Sequence, residues 1–140
     1  MYRTDAHEDR SLLLLGHNRA VWAYRRETGE LAWKYENDHA YDYYVDFVVV
    51  GKHVFVAVNE YIVRLDYATG RPINSTQCQS RVLRVMHDDG MLYAFGDENI
   101  YCVDLDGRII WVRNHKLYTA STMPTFGFPG NIINGFRDSG

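Results

Sequence analysis

One phrase is written three times along this chain: YRRETGELAW over 24–33, LDYATGRPIN over 65–74 and VDLDGRIIW over 103–111. A shift of forty-one places sets Asn18 on Asn59, Val21 on Ile62, Tyr24 on Leu65, Thr28 on Thr69 and Gly29 on Gly70 without a gap. A further shift of thirty-eight sets Asn59 on Asp97, Glu60 on Glu98, Ile62 on Ile100, Leu65 on Val103 and Asp66 on Asp104, and one deletion in the next turn brings Gly70 onto Gly107. A second ladder, Gly51, Gly90 and Gly130, keeps a similar spacing, each glycine followed by an apolar run. A period near forty makes each copy one supersecondary unit that cannot bury its apolar face alone, so neighbouring copies must stack.

Between the glycines the residues spell strand. Segments 45–50, 54–58 and 61–65 are short, rich in β-branched and aromatic residues, and separated by polar turns. No apolar stripe with a 3.6-residue period extends over helical length. In ETG, ATG and LDG the glycine supplies the positive φ that closes a hairpin, a conformation that a Cβ resists. Each unit therefore yields four short antiparallel strands, A to D. The second unit runs A 43–50, B 53–58, C 61–66 and D 71–77, and the third A 81–87, B 91–96, C 100–104 and D 108–113. The first has B, C and D at 11–16, 20–25 and 31–35, and its A strand would have to come from the polar opening residues. Beyond Trp111 an A strand is expected near 120–128 and a B strand near 131–136.

The pattern Tyr/Leu-x-x-x-Thr-Gly-x-x-x-Trp after an apolar B–C hairpin resembles the repeat of the quinoprotein-type (PQQ-like, WD40-like) β-propellers. Gly29 with Trp33 and Gly107 with Trp111 carry the match, while Asn74 stands where the second unit would have tryptophan. The resemblance implies an all-β fold, a partial β-propeller of about three to three and a half four-stranded antiparallel blades. The units are 10–42, 43–80, 81–118 and an incomplete 119–140, within a single domain over 1–140. It also implies that Trp33 and Trp111 pack against a neighbouring blade. Gly29, Gly51, Gly70, Gly90 and Gly107 are then structural repeat positions. Propellers generally close with four to eight blades, and closure protects their strand edges. An arc this short is expected to complete itself by self-association, a dimer being favoured, with a truncated piece of a longer propeller or a structural component of a virion or other large assembly as the alternatives.

Composition narrows the function. A formal net charge of −3 with scattered basic residues gives no electrostatic footprint for nucleic acid. No stretch is apolar over the length needed to cross a bilayer. The LLLL run near the amino terminus is flanked by charge and lacks a small-residue cleavage site, and Cys78 and Cys102 form no CxxC motif, so a cytoplasmic setting is expected.

Catalytic machinery is not legible. A quinoprotein dehydrogenase needs a cofactor pocket on the propeller axis, calcium ligands and a catalytic aspartate, and none of the motifs here corresponds to them; no cofactor and no enzymatic activity are expected. Glu36, Asp38, His39, Asp42 and Asp46 lie within ENDHAYDYYVD but fit no EF-hand spacing, and read as a solvated loop. His87-Asp88-Asp89 leads into Gly90 and reads as a turn rather than an acid–base pair. The expectation is a noncatalytic binding or scaffold module that meets a protein or small-ligand partner through its loops or central channel. Loops 36–43 and 115–130 are the expected contact regions, with Asp38, His39, Tyr41 and Tyr43 as candidate contacts because tyrosine joins a flat apolar body to a polar tip.

Overall fold

The computed structural model describes residues 9–37, 44–115, 126–129 and 131–133. Its first sheet holds β1 (Leu12–His17), β2 (Ala20–Arg25) and β3 (Leu31–Glu36). The second holds β4 (Val45–Val50), β5 (His53–Val58), β6 (Tyr61–Asp66) and β7 (Pro72–Gln77), and the third β8 (Val82–Asp88), β9 (Met91–Gly96), β10 (Asn99–Asp104) and β11 (Ile109–Asn114). A two-stranded sheet pairs β12 (Phe126–Phe128) with β13 (Asn131–Ile133). In every sheet the spatial order of strands equals their order in the chain and each pair is antiparallel, because each connection is a short hairpin. This is a partial β-propeller. The strand A expected for the first blade, and Gly130, lie outside the described residues.

The hairpin joining strands C and D shows why one deletion keeps the repeat intact. In the first two blades the glycine N–H donates four residues back, Gly29 to Arg25 O and Gly70 to Asp66 O, each at 2.8 Å. The third blade closes one residue tighter, Gly107 N–H to Asp104 O at 3.1 Å, and the flanking pair Asp104 N–H to Arg108 O, 2.9 Å, still forms. Just before each of these turns the C–D ladder slips by one residue, at Ala23/Tyr24, Arg64/Leu65 and Cys102/Val103. A bulge at one equivalent place in every blade adds twist to the outer strand.

The apolar core lies between blades. Successive strand residues point to opposite faces, so Val54, Val56 and Val58 of β5 meet Leu12, Val21, Ala23 and Trp33 of the first blade. Phe55 and Ala57, one residue out of phase, meet Val85, Leu92, Ala94, Tyr101 and Val103 of the third. Val54–Val58 is an unbroken apolar run because a blade covers it on both sides. Full burial of one such side chain contributes about 1.5–3 kcal/mol.

Asp46 differs from its sequence reading. It is buried on β4, and its Oδ2 accepts the Val85 N–H of β8 at 3.0 Å, tying the first strands of two neighbouring blades.

Candidate interaction surfaces

Each joint between blades is closed at its outer end by a strand D reaching over the next blade's glycine turn. Trp33 of β3 is 8% exposed, donates its indole N–H to Tyr67 O at 2.9 Å, and lies so close over Gly70 that a Cβ there would collide with the ring. Gly70 is needed twice over, for its φ of 74° and for this approach. At the second joint, where Asn74 replaces tryptophan, Thr76 takes over the contact. Its hydroxyl donates to Gly107 O at 2.8 Å, while the Asn74 amide reaches Asp106 O at 3.4 Å.

The two ends of the described arc carry the unmatched halves of this joint. Gly29 has the same positive φ, 78°, yet nothing would lie within 4 Å of a Cβ there. Trp111, in register with Trp33 beside an equivalent bulge, is 37% exposed. The difference from the packing implied for Trp111 has a simple cause: among the described residues no glycine turn follows it. The outward face of the first blade is also bare, with Leu13 62% and Leu15 51% exposed, whereas Val54 and Val56 at the same places of the second blade are wholly buried.

Gly51 (φ 60°) and Gly90 (φ 78°) sit in the A–B turns with open space about them. Asp38, His39, Tyr41 and Tyr43 lie outside the described residues, as does most of 115–130. His87 serves the turn that follows it, its Nε2 accepting the Gly90 N–H at 3.2 Å. Among the described residues no group of three or more His, Cys, Asp or Glu could hold a metal ion, and both thiols are buried and unpaired, with burial pushing Cys78 up to about 12. Among the described residues no helix is long and apolar enough to cross a membrane.

A cleft of about 600 Å³ opens between β3 of the first blade and β6–β7 of the second, lined by Tyr35, Asn37, Asn59, Tyr61, Val63 and Ser75 among others. Burial raises the Tyr35 phenol above its ordinary value, opposed by a hydrogen bond with the Asn37 side chain. Sequence reasoning missed this cleft. Its signal was the valine at 63 where the third blade has Tyr101, legible only once the blades are stacked.

Stacked antiparallel sheets of three and four strands, one joint closed by a tryptophan on a glycine turn, define a PQQ-like β-propeller arc. The chain belongs to the family whose model is described as outer membrane protein assembly factor BamB, which matches residues 17–127. Among solved structures it is similar to BamB from Moraxella catarrhalis, with a TM-score of 0.60 and 21% identity, over 76% of this chain and 34% of that one. It is also similar to a europium-containing methanol dehydrogenase, with a TM-score of 0.63 and 12% identity, over 76% of this chain and 23% of that one. These likenesses show the fold. No curated protein matches the chain.

The cytoplasmic expectation is thereby corrected, because the matching family is described by an outer membrane assembly factor. The thiols never bore on compartment: buried cysteines stay reduced through inaccessibility as readily as through a reducing medium.

Proposed function

We propose that this chain is a noncatalytic propeller arc that works as a protein-interaction scaffold, with its ring completed by a second copy of itself. The observation that carries the reading is the bare first-blade face, where Leu13 and Leu15 stand in the places that a blade covers on Val54 and Val56. An apolar sheet face of this kind is a docking surface rather than a solvent surface. The unmatched joint halves support it further. If Trp111 of one copy lies on the Gly29 turn of the other, the internal repeat puts its indole N–H against Arg26 O, as Trp33 meets Tyr67 O. Two such arcs make a ring of six to eight blades.

The contacts to other proteins are assigned to loops 36–43 and 115–130 and to the channel, in keeping with a family described by an assembly factor. A second reading, that the remaining blades belong to the same polypeptide, is favoured by the chain's spanning only 34% of the BamB chain.

Light scattering after size exclusion tests the first reading. A discrete dimer that Leu13→Glu with Leu15→Glu converts to monomer supports it. A wild-type monomer at high concentration overturns it in favour of the second reading, and open-ended growth overturns it in favour of a structural lattice. Dye-linked oxidation after addition of pyrroloquinoline quinone would overturn the noncatalytic part.

A further inference from the structure

The three C–D turns share one backbone frame. The residue that opens each turn, Arg25, Asp66 or Asp104, donates its N–H across it to Glu30 O, Arg71 O and Arg108 O at 2.8, 2.9 and 2.9 Å. In two blades that residue also closes the turn with its side chain. Asp66 Oδ2 receives the Thr69 N–H at 3.0 Å and the Thr69 hydroxyl at 2.8 Å. Asp104 Oδ1 receives the Asp106 and Arg108 N–H groups at 3.0 and 2.8 Å. The first blade has arginine in this place. Thr28, the counterpart of Thr69, still accepts the Glu30 N–H at its Oγ1, at 3.2 Å. Among the described residues, however, neither its own N–H nor its hydroxyl finds an acceptor.

The charge around this turn is reversed as well. A hollow of about 490 Å³ is lined by Arg10, Ser11, Arg25, Arg26, Glu27 and Thr28. Arg26 is anchored at its wall, with Nη1 donating to Arg10 O at 3.0 Å. Among the described residues Arg10 and Arg25 have no acidic partner, and Glu27, where the second blade has Ala68, makes no ion pair. Three guanidinium groups and one opposing charge thus surround donors that a carboxylate satisfies in the other blades. A guanidinium matches the two oxygens of a carboxylate with parallel N–H groups.

We propose that this turn binds an acidic segment of a partner protein. One carboxylate takes the place that Asp66 and Asp104 fill from within, receiving the Thr28 N–H and hydroxyl, and a neighbouring one lies among Arg10, Arg25 and Arg26. A carboxylate suits the site better than a phosphate, because the other two blades build the same frame around a planar group with two oxygens. The site remains open in a completed ring: Thr69, at the same place of the second blade, is exposed although the first blade covers that joint. The inference rests on the protein-interaction reading above and names the chemistry of one contact, at a place apart from the loops assigned there.

The test is an amide-resolved NMR titration of the whole chain, at fixed ionic strength, with acetyl-Gly-Asp-Asp-Gly-amide, its Asn-Asn counterpart, acetate and inorganic phosphate. The expected result is saturable shifts at Thr28 and Gly29 with the acidic peptide. The other three probes should bind at least about tenfold more weakly, since hydrogen bonds between charged groups carry the contact and acetate lacks the second carboxylate. Arg25→Asp, which gives the first blade the cap of the other two, should abolish binding and raise the melting temperature. Arg71→Asp, the same charge change on the capped turn of the second blade, should leave binding unchanged. Arg10→Gln with Arg25→Gln should weaken binding at least about tenfold without filling the turn, and decides the matter should Arg25→Asp unfold. Equal binding of the asparagine peptide or of acetate, tighter binding of phosphate, no saturable shift, or an Arg71→Asp effect as large as that of Arg25→Asp would overturn the proposal. Failure of an intact dimer to bind the acidic peptide rejects this site and not the scaffold, whereas a monomer that binds it rejects ring completion and not the site.

Discussion

Gly70 and Gly29 have the same backbone conformation and different neighbours, which separates two effects that substitution usually mixes. In the monomeric Leu13→Glu, Leu15→Glu background, where no second copy covers the Gly29 turn, alanine at Gly29 meets only the left-handed backbone, at about 1 kcal/mol, since nothing in the single arc lies within 4 Å. Alanine at Gly70 must also displace the Trp33 ring, and overpacking of that kind adds about 1–3 kcal/mol. Urea denaturation should rank Gly70→Ala well below Gly29→Ala, and equal losses would deny the Trp33 contact its weight. By the same logic Trp33→Ala should cost about 3–5 kcal/mol, and in the same monomeric background Trp111→Ala distinctly less, because its side chain is 37% exposed in the single arc. His53 carries a pH dependence. Burial, then the Arg64 guanidinium, holds it below its ordinary value against the opposing pull of Asp66, with Lys52 adding to the depression. The unfolded chain then binds the proton more readily, so stability is full above about pH 6.5 and falls as pH drops toward the folded value. His53→Gln should flatten thermal melting between about pH 7 and 5; an unchanged slope would assign the acid loss to other groups.

At the scale of elements, the blades are held by a few polar ties laid across apolar faces. Asp46 on β4 receives the Val85 N–H of β8, so Asp46→Ala leaves a buried donor unmatched and should cost about 1–3 kcal/mol. Thr76→Val keeps the shape of the outer tie to Gly107 and removes only its hydrogen bond, for a loss of about 1 kcal/mol. Similar losses from both would mean that the inner tie is not buried in solution. The recurring bulge before each C–D turn belongs to this scale as well. It swings the outer strand so that a side chain on the outermost strand of the blade reaches over the next blade.

The whole molecule behaves as a stack in which each blade contacts only its neighbours, so opening one joint need not open the next. Cys78 lies inside the joint between the second and third blades, with its thiol pushed up to about 12 by burial. Labelling by a thiol reagent near pH 8 should therefore be slow, should follow opening of that joint, and should accelerate in Thr76→Val. Labelling as fast as in the unfolded chain would show the joint to be open at rest. Completion of the ring would lower the rate further as protein concentration rises.

Much of this was legible in the residues. Strand positions, turn glycines and the stacking of units follow from a repeat of glycine and alternating apolar residues, because φ preference and side-chain alternation are local properties that each copy restates. HVFVAV could be read as strand on its β-branched content alone. That it is covered on both faces, that Asp46 faces inward rather than to water, that Thr76 substitutes for a tryptophan, and that Val63 leaves room where Tyr101 does not, were decided only by packing one blade against the next. Each of these depends on what stands across a joint some forty residues away, and no local preference encodes that.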